Sequence, residues 1–133
     1  MIRRAENGDL NGIVRLLLQV HKVHSDVRPD IFRPGGRKYT DGEVLEILRD
    51  DNTPVWVMAE EDGEIEGYCF CVVQETRGDR SLADRKVLYI DDLCVDENIR
   101  GKHVGKALYD FVKVWAKENG FYNITLHVWE HND

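Results

Sequence analysis

A cluster of basic residues separates a predicted strand from a predicted helix in the last third of the chain. Four cations and two glycines make up this basic turn: Arg100, Gly101, Lys102, His103, Gly105 and Lys106. A helix N-terminus exposes unpaired backbone N–H groups and the positive end of the helix dipole, so helix stability alone favours Asp or Glu in the first turn. Cations at this place indicate that an anion binds among them. The basic turn therefore predicts a phosphate site, with solvated surface cations and tight turn geometry as the structural alternative.

The strand before the basic turn carries two adjacent acids, Asp91 and Asp92. Strict alternation along a strand places neighbouring side chains on opposite faces, unless a bulge intervenes. We therefore expect only one of the two acids to face a site.

Two widespread phosphate loops, the P-loop and the dinucleotide G-x-G-x-x-G turn, are absent from the sequence.

Length and charge narrow the class of protein. The chain has 133 residues, 42% of them hydrophobic, and a formal net charge of -7, which predicts one globular domain over residues 1–133. Nucleic acid is not expected as a partner, because phosphate-backbone binding draws on broad basic surfaces. The acidic balance favours a cationic small molecule or a basic peptide, unless the charge serves solubility alone.

The cysteines and the apolar runs predict the compartment. Cys69, Cys71 and Cys94 lack the spacing of a zinc site, so we expect reduced, buried thiols and no metal. No apolar run approaches the roughly 20 residues of a membrane span, and no signal-peptide core follows the N-terminus. We expect a cytoplasmic protein that does not bind membranes.

Hydrophobic periodicity and turn residues predict eight elements in the order β-α-α-β-β-β-α-β, an α/β (α+β) fold with a mixed sheet. The predicted strands cover residues 1–5, 55–60, 64–76, 87–95 and 122–129, and the predicted helices cover 10 to about 21–24, 40–49 and 105–119. The stretch from Tyr68 to Val73 is almost continuously apolar, which favours a strand covered on both faces. The last two strands and the helix between them form a parallel βαβ unit.

The strand Tyr89-Ile90-Asp91-Asp92-Leu93-Cys94-Val95 with the following Arg100 to Gly105 resembles the acetyl-CoA-binding motif of the GCN5-related N-acetyltransferase (GNAT) family, Gln/Arg-x-x-Gly-x-Gly/Ala after a strand. The resemblance covers essentially the whole chain, because the predicted order of elements is also that family's order. It implies an acetyl-CoA-dependent N-acetyltransferase. Direct attack in a ternary complex would transfer acetyl to a primary amine of a small molecule, such as a polyamine or an aminoglycoside, or of a protein.

The resemblance also implies where acetyl-CoA binds. Backbone amides of the motif would hold the pyrophosphate: Arg100, Gly101, Lys102, His103, Val104, Gly105 and Lys106. Backbone groups of Leu93, Cys94 and Val95 would pair with the pantetheine arm as another strand does, and an N–H near Cys94 or Val95 would meet the oxyanion. His103 departs from the pattern, which usually has glycine at that position. Its side chain would either narrow the approach to phosphate or add a donor.

The acid and the acceptor contacts follow from the same resemblance. Attack on a thioester requires a neutral amine, so a base must accept a proton, and family members often have an acid in this role at the place of Asp91. We predict Asp91 as base or as anchor for the substrate ammonium, Asp92 as the second candidate, and a purely structural pair as the third. The first helix and the segment after it resemble the acceptor-binding lid, with His24, Phe32 and Tyr39 as candidate contacts. Packing or surface roles are the alternative for these three.

The end of the chain carries two further expectations. In the family, an Asn at the place of Asn132 contacts coenzyme A and begins a helix with a Tyr that protonates the leaving thiolate. No such Tyr follows Asn132 here, so we expect a C-terminally truncated sequence and assign no general acid. The last predicted strand would leave an exposed apolar edge, which predicts a possible homodimer.

Two other functions stay open on the sequence alone. One is an acyl-CoA-binding or regulatory module that has lost catalysis, which His103 and the missing Tyr favour. The other is an α/β domain whose basic turn binds a different phosphate.

Overall fold

The computed structural model describes residues 1–31, 33, 35–81, 83–99 and 103–126. These residues form a five-stranded mixed sheet with three α-helices. The strands are β1 (Ile2–Arg4), β2 (Val55–Ala59), β3 (Ile65–Thr76), β4 (Arg85–Val95) and β5 (Asn123–Leu126). The helices are α1 (Leu10–Val27), α2 (Asp41–Arg49) and α3 (Val104–Glu118). The predicted order of elements and the predicted fold class are confirmed.

The strands lie in the sheet in their sequence order, β1-β2-β3-β4-β5. The first four are antiparallel neighbours, whereas β4 and β5 pair in parallel from Val87 opposite Asn123 to Ile90 opposite Leu126. A parallel pair needs a crossover connection, which α3 supplies. The predicted βαβ unit is therefore present.

Buried side chains form a core on each face of the sheet. The α1/α2 core contains residues such as Leu16, Val44, Tyr68 and Phe70. The α3 core contains residues such as Cys69, Cys71, Leu88, Ile90 and Leu108. Residues 68 to 71 of β3 thus alternate between the two cores and are all buried, as the continuous apolar run predicts. The three cysteines are buried and form no disulfide among the described residues, also as predicted.

The ends of the helices follow local signals. Thr40 caps α2: its hydroxyl accepts from the Glu43 N–H at 3.2 Å, and the Glu43 carboxylate accepts from the Thr40 N–H at 3.0 Å, a capping box. Helix α1 ends at Val27, beyond the predicted end near residues 21–24. It stops just before Arg28, because the residue before Pro29 is disfavoured in helical conformation. Strand β4 begins two residues earlier than predicted, and predicted strand residues 127–129 lie outside the described part.

A glycine in β3 allows the start of α3 to approach the sheet closely. A Cβ at Gly67 would lie 3.0 Å from the Cys94 carbonyl oxygen, 3.0 Å from the Leu108 side chain and 3.1 Å from the Val104 side chain. Real Cβ contacts are seldom this short, so only glycine fits without displacement. The N-terminus of α3 is thereby held against the last residues of β4.

Candidate active site

A β-bulge in β4 turns both acids toward the same face of the sheet. The ladder pairs Cys71 with Ile90 and Phe70 with Asp92, so Asp91 is the extra residue on β4. Ile90 lies in the α3 core, whereas the carboxylates of Asp91 and Asp92 each accept a hydrogen bond from a tyrosine that packs in the α1/α2 core. The prediction that the two acids lie on opposite faces is therefore wrong, because the bulge shifts the alternation by one residue.

The Asp91 carboxylate contacts two groups from the segment before α2. Its Oδ2 atom accepts a hydrogen bond from the Tyr39 hydroxyl at 2.5 Å and lies 3.1 Å from the Lys38 Nζ. The Lys38 ammonium also lies 5.5 Å from the centre of the Tyr39 ring, within range of a cation–π contact. About a quarter of the Asp91 side chain is exposed (25%), so this carboxylate is accessible from solvent and already binds a primary ammonium group.

The Asp92 carboxylate has a different environment. Its Oδ2 atom accepts a hydrogen bond from the Tyr68 hydroxyl at 2.9 Å, and Tyr68 is fully buried. Burial raises the pKa of the Asp92 carboxyl; the Lys38 charge and the Tyr68 hydrogen bond oppose this shift, and the Asp91 charge adds to it. Asp92 therefore holds its proton more readily than an ordinary Asp.

An aromatic stack fixes the two tyrosines. The Tyr39 ring stacks on Phe70 with 5.4 Å between centroids and an interplanar angle of 11°, and Tyr68 meets the same Phe70 edge to face at 4.9 Å. Burial and the hydrogen bond to Asp91 raise the pKa of the Tyr39 hydroxyl. Tyr39 therefore stays a hydrogen-bond donor near neutral pH.

Of the predicted acceptor contacts, the structure brings Tyr39 directly to Asp91. His24 lies on α1, where burial lowers its pKa and the positive charges of His21 and Lys38 lower it further. The His24 imidazole is thus close enough to Lys38 for the Lys38 charge to lower its pKa. Phe32 lies outside the described residues.

The edge of β4 beyond the bulge matches the position predicted for the pantetheine arm. Leu93, Cys94 and Val95 pair with β3 on one side. On the other side, the pairing of β4 with the described residues of β5 ends at Ile90. The Cys94 thiol is buried, with its Sγ atom 3.9 Å from the Leu16 carbonyl oxygen.

His103 adopts a left-handed backbone conformation at the start of α3. Its φ is 59° and its ψ is 27°, a region that favours glycine and that His tolerates better than most residues. The first turn of α3, which includes Val104 and Gly105, contains no acid, so its N–H groups face no carboxylate from that turn.

The predicted cations of the basic turn are only partly described. The Lys106 ammonium lies 2.7 Å from the Asp110 carboxylate one turn further along α3, and this contact raises the Lys106 pKa. Lys106 is thus paired along its own helix. Arg100, Gly101, Lys102 and Asn132 lie outside the described residues.

A buried acid anchors the segment that leads into the basic turn. Asp96 is only 5% exposed, and its carboxylate accepts from the Arg15 guanidinium at 2.5 Å and from the Asn98 N–H at 3.0 Å. The Gln19 side chain accepts from the Glu97 N–H at 3.2 Å. Burial raises the pKa of Asp96, but the hydrogen bonds from Asn98 and Arg15 outweigh it, and the pKa is lowered. Helix α1 therefore fixes residues 97–99.

Sequence reasoning missed three contributors to this site: Lys38, Tyr68 and Asp96. Lys38 stands next to a predicted contact, Tyr39, but no spacing signal marks it. Tyr68 lies in a run that reads as core, where a buried hydroxyl needs a hydrogen-bond partner; this requirement indicates a polar neighbour but does not identify Asp92. The Asp96 partner is 81 positions away in the chain.

The described residues bear on two other kinds of site. They contain no group of three or more His, Cys, Asp or Glu side chains arranged to hold a metal ion. No helix in this part of the chain has the length and hydropathy required to cross a membrane.

Comparison with known proteins defines the family. The model of the acetyltransferase (GNAT) family matches residues 17–133, so this chain belongs to the GNAT acetyltransferase family. A search of proteins of curated function finds no significant match.

Solved structures show the same fold. The chain is similar to the BH1408 protein of Bacillus halodurans, with 30% identity, a TM-score of 0.88, and coverage of 100% of this chain and 85% of that one. An acetyltransferase of Vibrio fischeri is 24% identical with a TM-score of 0.79, covering 97% and 96% of the two chains. Glucosamine-6-phosphate N-acetyltransferase of Arabidopsis thaliana is 25% identical with a TM-score of 0.71, covering 99% and 84%.

Proposed function

We propose that the chain is an acetyl-CoA-dependent N-acetyltransferase that acetylates a primary amine. The acceptor amine would bind to the Asp91 carboxylate. The observation that carries this proposal is the ion pair between the Lys38 ammonium and the Asp91 carboxylate, which lie 3.1 Å apart. A carboxylate that accepts both an ammonium group and the Tyr39 hydroxyl is suited to anchor an incoming amine and to take its proton. Membership of an acetyltransferase family supplies the reaction class.

Acetyl-CoA would bind along β4 and the start of α3. Leu93, Cys94 and Val95 pair with β3 on one side only; on the other side they pair with no described strand, so this edge of β4 fits an extended pantetheine arm. The amides at the start of α3 fit a pyrophosphate, because the first turn has no acid that competes for them. The residues proposed to hold the phosphates are Arg100, Gly101, Lys102, His103, Val104, Gly105 and Lys106, with Asn132 further along coenzyme A.

In the proposed reaction the acceptor ammonium displaces Lys38 and binds to Asp91. Asp91 accepts a proton from it, and the neutral amine attacks the thioester carbon. The bond between that carbon and the sulfur of coenzyme A then breaks, and the second proton lost by the amine ends on the thiol of coenzyme A. Tyr39 keeps the Asp91 carboxylate oriented through its 2.5 Å hydrogen bond. A backbone N–H near Cys94 or Val95 stabilises the oxyanion, and Asp92 remains hydrogen-bonded to Tyr68.

The acceptor is proposed to be a small amine or a protein amine. A similar structure is named as an acetyltransferase of glucosamine 6-phosphate, which carries a primary amine. The net charge of -7 favours the approach of cationic acceptors over anionic ones.

The test measures coenzyme A release from acetyl-CoA with a panel of amines. Asp91→Asn should lower turnover about 100-fold or more, the scale of a general base, and leave acetyl-CoA binding nearly intact. Asp26→Asn is the matched control, because Asp26 pairs with Lys22 at the same 3.1 Å on an exposed face of α1. Full turnover in Asp91→Asn across the pH range would refute Asp91 as the base.

Measurements of ligand binding and of thermal stability, made beside this assay, separate the other functions. Acetyl-CoA binding without release to any amine would favour a regulatory module. Thermal stabilisation by ATP or inorganic phosphate as strong as that by acetyl-CoA would favour a different phosphate ligand.

Three further proposals concern the whole chain: a single domain over residues 1–133, a cytoplasmic location and a possible homodimer. Tyr122 and Leu126, near the sheet edge formed by β5, are 68% and 42% exposed. Light scattering that finds only monomer would count against the homodimer.

A further inference from the structure

Lys38 occupies the place that the proposed acceptor amine would take. Its Nζ atom lies 3.1 Å from the Asp91 Oδ2 atom and 3.5 Å from the Asp91 carbonyl oxygen. Both contacts are made to the bulged residue of β4, two positions before the edge at Leu93 to Val95. The chain therefore presents a primary amine of its own to the proposed base.

The surroundings of Lys38 permit it to react. Its side chain is 43% exposed, and the residue belongs to the irregular segment before α2 rather than to a helix or strand. A lysine amine on a four-carbon stem can move by the few ångströms that an attack requires. The Asp91 carboxylate, which Lys38 contacts, is held in place by the hydrogen bond from Tyr39, and Tyr39 in turn stacks on Phe70.

We propose that Lys38 is a modification site of this protein, acetylated on Nζ by acetyl-CoA bound to the same chain. The proposal rests on the proposed function, since it uses the same base and the same acetyl donor. A bond forms between Lys38 Nζ and the acetyl carbon, and the bond between that carbon and the sulfur of coenzyme A breaks. The ammonium loses two protons: one is released to solvent through Asp91, and one ends on the thiol of coenzyme A.

Acetylation removes the Lys38 charge, and with it the ion pair that an acceptor must displace from Asp91. After this modification, Lys38 would no longer compete with an external amine for the Asp91 carboxylate. Within the described part of the chain, the amine that hydrogen-bonds to the Asp91 carboxylate is that of Lys38. It is therefore the amine at hand when no acceptor is bound.

A second lysine supplies a matched control. The Lys22 Nζ atom also lies 3.1 Å from a carboxylate, that of Asp26, but its side chain is 78% exposed and it lies on α1. Uncatalysed acetylation by acetyl-CoA follows exposure and would favour Lys22. Acetylation directed by Asp91 favours Lys38.

The experiment incubates the whole protein with acetyl-CoA, without an added amine, and follows each lysine by peptide mass spectrometry. We expect Lys38 to be acetylated about 10-fold faster than Lys22 or more, because the amine is held beside the base. Its rate constant should not depend on protein concentration. Asp91→Asn should slow acetylation of Lys38 and leave Lys22 unchanged, and Lys38→Arg should remove the fast phase from the mass of the intact protein.

Three results would overturn the proposal: acetylation of Lys22 as fast as that of Lys38, an unchanged ratio of the two rates in Asp91→Asn, or a rate constant that rises with protein concentration. A parallel incubation with the amine panel separates this proposal from the proposed function. Transfer to an external amine with unmodified Lys38 overturns only the modification. Absence of acetyl-CoA binding overturns both.

Discussion

The left-handed conformation of His103 predicts a substitution that stabilises the protein. With φ at 59° and ψ at 27°, the Cβ atom of His103 is crowded by the backbone, which costs about 1–2 kcal/mol. Glycine avoids this cost, but its freedom in the unfolded chain removes about 0.5–1 kcal/mol of the gain. We therefore expect His103→Gly to raise the free energy of unfolding by about 0.5–1 kcal/mol, or the melting temperature by about 2–5 °C for a chain of this size.

The measurement is urea unfolding followed by circular dichroism, with His103→Ala as the control. The side chain of His103 is exposed, so both variants lose the same few contacts, but only the alanine keeps a Cβ. His103→Ala should be no more stable than the wild type, because alanine tolerates the left-handed region less well than His. If the glycine variant is no more stable than the alanine variant, backbone strain at His103 is refuted.

Three other predictions follow from the packing and charges. Gly67→Ala should destabilise the protein by about 1–3 kcal/mol, because its Cβ would lie 3.0 Å from a backbone carbonyl oxygen; Gly42→Ala, with nothing within 4 Å, is the control and should not destabilise in the same urea titration. Asp96→Asn should lower the free energy of unfolding by about 1–3 kcal/mol through lost charge-assisted hydrogen bonds, against a change within about 0.5 kcal/mol for the exposed Asp26→Asn; equal effects would contradict the buried network. Asp92 has a raised pKa in the folded state, so its ionisation costs stability as pH rises above the unfolded value near 4. Asp92→Asn should therefore gain stability relative to the wild type as the pH rises above about 4, and a pH-independent difference in melting temperature would rule this out.

The elements were predictable from the sequence because their signals are local. The apolar spacing of α1 and α3, the Thr40 capping box and the continuous apolar run of β3 each need only a short window of sequence. The basic turn and its departure from glycine at His103 were also visible in the sequence, whereas the left-handed backbone of His103 was found only in the structure.

The arrangement of the site was less predictable because it depends on register and on distant contacts. No glycine or proline marks the bulge at Asp91, so alternation gave the wrong face for one acid. The contacts of Lys38 with Asp91 join residues 53 positions apart, and those of Arg15 with Asp96 join residues 81 apart. Such pairs become visible only when the sheet has assembled.

The long separation between Tyr39 and Asp91, 52 positions, has a consequence for the order of folding. Strands β2, β3 and β4 follow one another as antiparallel neighbours, so their pairing closes short loops, whereas β1 reaches β2 only across α1 and α2. Closing the longer loop costs more chain entropy before its contacts form. We expect the β2–β4 meander to form first. The contacts of the Asp91 carboxylate with Lys38 and Tyr39 should form last. In native-state hydrogen exchange, the same contacts should open before the meander does.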